Sequence, residues 1–188
     1  SSFHFMIEAV NFLEYFADAC PEECDKLRKF ESEGRLEVIP MRAILYTQLP
    51  SGETLVRNFL SGRAFCEKFF GNSGKTATLS DIPGVTPQMP QIAAKSGFSG
   101  LFLSHGLPPH TDRILYIAPD GTGIKAYAPI HYGRCRRLFH DAADYAQMCE
   151  NEKEIEEIFG GVDYPQLCQF GTDLYLLNEN AVENFRRW

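Results

Sequence analysis

The one dense positive cluster in the chain is His131-Tyr132-Gly133-Arg134-Cys135-Arg136-Arg137, with His140 beyond it. A helix starting after Gly133 would aim its first backbone amides and the guanidinium groups of Arg134, Arg136 and Arg137 at an anion such as phosphate or carboxylate. The same positive surroundings would lower the pKa of Cys135 and favour its thiolate, with His131 or His140 at hand as base. Five residues beyond Cys135 stands Asp141, so the Cys-x5-Arg pattern of phosphatases is absent. The structural alternative is that these arginines pair with the acidic stretch at 141–157 or with a partner protein.

A second constellation is Ser104-His105-Gly106-Leu107-Pro108-Pro109-His110-Thr111-Asp112-Arg113. His105 titrates near neutral pH and could act as a general base, with the Asp112 carboxylate fixing its tautomer. The plainer reading is a polar turn stiffened by Pro108 and Pro109. Gly71-Asn72-Ser73-Gly74-Lys75-Thr76 resembles a phosphate-binding loop, but the first glycine of that motif would fall at position 69, which is Phe69. The stretch reads as a glycine-containing loop. Cys20-x3-Cys24 and His131-x3-Cys135 have spacings that zinc accepts, yet neither is distinctive, and buried Cys is common. No metal and no cofactor is therefore expected. Cys66, beside Phe65, could serve a papain-like arrangement, and a core position suits it better.

The elements that must position these residues belong to a chain of 188 residues, one α+β domain over 1–188 by length, with 44% hydrophobic residues. Eighteen Lys and Arg against 25 Asp and Glu give a formal charge of −7, the wrong sign for nucleic acid or an anionic lipid surface. Apolar runs such as Ile114-Leu115-Tyr116-Ile117-Ala118 are far short of the roughly 18 residues a membrane span needs. No Lys or Arg precedes Lys26, so no basic leader or transit peptide is expected within these residues, a leader removed earlier being the alternative. Six Cys in a chain of this size favour free thiols and a reducing intracellular or organellar compartment, three disulfides being the secreted alternative.

Met6, Val10, Leu13 and Phe16 recur at helical spacing and predict a helix over 3–16. Pro21, followed by Glu22, Glu23 and Asp25, opens a second helix that Gly34 closes. Strand segments at 36–39 and 43–47, then a limb at 54–60 beyond Pro50-Ser51-Gly52, predict a hairpin, helix being the competitor for its second limb. A short helix follows at 63–70, then a long surface loop from Gly71 to Pro90, then strand character at Leu101-Phe102-Leu103. A second hairpin joins Arg113–Ala118 to Ile124–Ile130. Residues 134–159 read as helix with a break near Asn151, 174–177 as a strand and 179–188 as a terminal helix. The sum is an α+β fold: a largely antiparallel sheet of two hairpins with N- and C-terminal helices packed on it.

No complete catalytic motif appears, whereas aromatic-rich ends, an acidic helix and a basic cluster offer complementary surfaces. The leading expectation is therefore a non-enzymatic interaction domain, a subunit, adaptor, immunity or regulatory protein, with another protein as partner. Arg134, Arg136 and Arg137 would be its charged anchors, and Phe3, Phe5 and Trp188 its apolar ones. The rival is a Cys/His-dependent hydrolase or transferase on a small anionic substrate, with Cys135 as nucleophile, His131 or His105 as base, Asp112 orienting and Arg136 clamping the anion. A small-ligand domain with the 71–90 loop as lid is a third reading.

Overall fold

The computed structural model describes residues 4–104, 112–128, 144–159, 167 and 180–187. The chain divides into two compact units, Ser1–Leu107 with Thr111–Tyr127, and Pro108–His110 with Ala128–Trp188. Among the described residues no helix is long and apolar enough to cross a membrane.

The first unit opens with strand β1 (Phe5–Ile7), which pairs in parallel with β2 (Leu36–Val38). Helix α1 (Val10–Ala19) starts only after Ala9, whose extended backbone (φ −155°, ψ 147°) ends the strand. The single helix expected over 3–16 is thus corrected: pairing with a distant strand overrides the helical spacing that begins at Met6. Ala9 offers no side-chain cap, and the amides of Val10 and Asn11 instead donate to the carbonyls of Met41 and Arg42 (2.9 and 3.1 Å). A 3-10 turn at Pro21–Glu23 leads into α2 (Cys24–Ser32), and Gly34 turns the chain out at φ 68°.

The hairpin expected around Pro50-Ser51-Gly52 does not form. Ser51 caps a 19-residue helix, α3 (Gly52–Phe70), its hydroxyl accepting from the Thr54 amide at 3.2 Å. Serine before an apolar-periodic run is a helix start as readily as a turn, and here the cap wins. Gly71, at φ 80°, ends the helix by donating to the Glu67 carbonyl. The surface loop expected from Gly71 to Pro90 is also corrected, since it contains β3 (Thr76–Leu79), with Ala77, Thr78 and Leu79 buried, and the first residues of α4 (Met89–Lys95). A lid built from that whole stretch is ruled out by the same burial.

Strands β3, β4 (Gly100–Leu103), β6 (Gly123–Tyr127) and β5 (Arg113–Ile117) form a second sheet in that order. The pairs β3–β4 and β4–β6 are parallel and β5–β6 is antiparallel. The sheets are therefore mixed, and the expectation of a largely antiparallel sheet fails because β3 and β4 find parallel partners remote in sequence. Ala77, Leu79, Leu101, Leu103, Ile124 and Ala126 alternate onto one face, where they pack with Leu55 and Phe59 of α3 and Ile92 and Ala93 of α4. At Gly62 a Cβ atom would lie 2.5 Å from the Met41 backbone carbon, so α3 lies directly against the segment after β2.

In the second unit, α5 (Tyr145–Phe159) runs through Asn151 without the expected break. The Asn151 side chain accepts from Gln147 at 3.2 Å, one turn back along the helix surface. Helix α6 (Ala181–Arg187) places the Arg187 guanidinium 5.6 Å from the centre of the Tyr145 ring. The expected strand at 174–177 lies outside the described residues.

Candidate functional site

Parallel strands send all their C-terminal ends to one side of the sheet, and side chains leaving those ends are placed by rigid elements yet reach solvent. At the end of β3 the chain passes from buried Ser80 through exposed Asp81 to buried Ile82. Asp81 is thus a carboxylate held on both flanks by the core. Ser104 follows β4 on the neighbouring strand.

The segments after β2 and β3 are tied together. The Thr86 amide donates to the Thr47 hydroxyl at 3.0 Å, and Tyr116 on β5 donates its hydroxyl to the Thr86 carbonyl at 3.3 Å. Burial pushes the Tyr116 pKa above its ordinary value, so this hydroxyl keeps its proton and remains a donor. Gly84 (φ 93°) lets Gln48 approach, since a Cβ there would meet the Gln48 side-chain nitrogen at 2.8 Å. From the other side Asn58 of α3 accepts from the Ala43 amide (2.8 Å) and donates to the Ala43 carbonyl (3.0 Å), while its own carbonyl takes the Arg42 amide. The segment so held carries an open groove of about 480 Å³ lined by Ile44, Leu45, Tyr46, Leu49 and Pro50.

Of Cys135, His131, His105 and Asp112, the catalytic set expected from the sequence, Asp112 alone is described. It lies half-buried just before β5, with its carboxylate 3.7 Å from Nε of Arg113. His105, His131, Arg134, Cys135, Arg136 and Arg137 lie outside the described residues, as do His140, Phe3 and Trp188. Cys66 is a core residue packed with Val10, Leu13, Leu36 and Val38. Burial first, then the nearby Glu31 carboxylate, push its thiol up to about 11, the opposite of an activated nucleophile. Cys20 and Cys24 are free thiols, Cys24 donating to the Cys20 carbonyl at 3.9 Å. Among the described residues no three His, Cys, Asp or Glu side chains gather as metal ligands would.

Residues 1–115 match the model of the glycosyl hydrolases family 38 N-terminal domain. The chain belongs to glycosyl hydrolase family 38. A provisionally named mannosylglycerate hydrolase of Halalkalibacterium halodurans is 28% identical over 137 residues, covering 65% of this chain and 15% of that protein. The alpha-mannosidase of Saccharomyces cerevisiae is 45% identical over 51 residues, 27% of this chain and 5% of the yeast protein. The crystal structure of an alpha-mannosidase from Enterococcus faecalis V583 superposes with a TM-score of 0.83 at 18% identity, over 97% of this chain and 21% of that one. The family 38 chain therefore spans a small part of the length of its curated relatives. The expectation of a non-enzymatic interaction, complex-subunit or regulatory domain is overturned by this membership, which points to a glycoside hydrolase.

Asp81 and Ser80 escaped the sequence reading because they stand in no cluster. Their signal is positional, at the C-terminal end of a buried strand that the sequence alone did not disclose.

Proposed function

We propose that this chain forms part of the active site of a glycoside hydrolase acting on α-mannosides, with Asp81 as a carboxylate at the reacting centre. Membership of family 38 over residues 1–115 carries the reading. Cleavage of a glycosidic bond calls for carboxylates beside it, one to donate or accept a proton and one to attack the sugar or activate water. Asp81 fits that need, being exposed at the end of β3, which pairs in parallel with β4, and fixed by buried neighbours. The groove at Tyr46 offers an aromatic face suited to the C–H side of a pyranose.

The test is hydrolysis of 4-methylumbelliferyl α-mannoside, with the β-mannoside and α-glucoside as controls. Asp81→Asn is expected to lower kcat about 100-fold or more while leaving KM nearly unchanged. An unchanged kcat in that variant would remove Asp81 from the reacting centre.

A further inference from the structure

Ser80 and Ser104 close the ends of two neighbouring parallel strands. The ladder pairs Thr78 with Phe102 and Leu79 with Leu103, so the next residues, Ser80 and Ser104, leave the sheet side by side. Both directly follow the core-facing Leu79 and Leu103, the last pair of the ladder. Phe102 and Tyr127, with ring centres 6.2 Å apart, lie one row behind them. Ser80 is only 3% exposed, and among the described residues neither the Ser80 nor the Ser104 hydroxyl oxygen, both buried, has a hydrogen-bond partner. Folded proteins rarely leave one buried hydroxyl unpaired, and here two stand on adjacent strand ends next to the exposed Asp81.

We propose that Ser80 and Ser104 form a subsite that holds one hydroxyl group of a pyranose bound beside Asp81. The inference rests on the glycoside-hydrolase reading above and adds the residues that select the sugar. A serine hydroxyl both donates and accepts, as does a sugar hydroxyl, so two of them can take its proton and fill one of its lone pairs. An anion would ask for donors alone and a positive charge, and an apolar group would leave both oxygens unpaired.

The experiment titrates the whole chain, and its Ser80→Ala and Ser104→Ala variants, with methyl α-mannoside and its 2-, 3-, 4- and 6-deoxy analogues, following binding by NMR. For the unaltered chain one deoxy analogue is expected to bind more weakly than the parent, by roughly two- to twelve-fold for each neutral hydrogen bond lost. In each variant the parent glycoside should weaken by the factor for one hydrogen bond, and the penalty for that same analogue should shrink by as much. Binding that keeps its full discrimination in both variants overturns the subsite and leaves the glycoside-hydrolase reading standing. A chain that binds none of these glycosides overturns both. Each substitution removes an unpaired hydroxyl, so the variants are expected to fold, and unchanged circular dichroism would verify it.

Discussion

Cys66 lies within α3, 2% exposed, with its thiol raised to about 11 chiefly by burial. A free thiol in the unfolded chain titrates near about 8.5. The folded state therefore keeps a proton that the unfolded state releases, and stability is full below about pH 8.5 and falls as pH rises through 11. Urea midpoints measured across that window should decline, and less steeply in Cys66→Ala. Iodoacetamide at pH 7.5 should leave Cys66 unmodified in the native protein. Asp120 shows the opposite displacement: the Lys95 ammonium at 2.8 Å and the Thr122 amide at 2.9 Å hold its carboxyl down at about 2. Its contribution is present above the ordinary carboxylate pKa and is lost as pH falls through about 2. Lys95→Met should move the Asp120 midpoint back toward about 3.9, read by NMR of its side-chain carbon. At this scale the core role of Cys66 was legible from its phenylalanine neighbours, whereas Asp81 was not. A single carboxylate in sequence carries no address until the strand that ends beneath it is known.

Helix α3 is the element that organises the first unit. Ser51→Ala removes its N-terminal cap and should cost about 1 kcal/mol in chemical denaturation. Gly62→Ala is the harsher change, on the order of 3 kcal/mol, because the added methyl would meet Met41 backbone atoms that have no rotamer to yield. A loss below about 0.5 kcal/mol would mean that α3 and the segment after β2 can separate freely. Elements with local signals are legible in the sequence, as α2 is from the proline and acidic residues that precede and open it, whereas α4 went unread. The strands β1 and β3 are three and four residues long and pair in parallel with segments far along the chain. Their evidence lies in the partner, so periodicity assigned the first to a helix and the second to a loop.

Across the whole chain the reading of function failed for a related reason. Compact motifs in the sequence carry no trace of a site proposed at strand ends, because only the tertiary fold brings β3 and β4 together. The surface also carries an unusual stripe. On α1 the inward face is Val10 and Leu13, while Phe12, Tyr15, Phe16 and Ala19 recur at helical spacing on the exposed side. Phe12→Ser combined with Tyr15→Ser should leave the unfolding free energy within about 0.5 kcal/mol, since little burial is lost. The same pair should raise the concentration at which light scattering detects association. A large stability loss would show that these rings are covered in solution.

The grip of Asn58 on Ala43 also orders events in time. Its amide can accept from and donate to that one residue only when α3 already exists to present it, whereas a helix capped by its own Ser51 forms from local contacts. The walls around Tyr46 and the Thr47 tether to Thr86 then come into being after the helix. A refolding chain would regain its helical signal first and protect the Thr86 amide from exchange later.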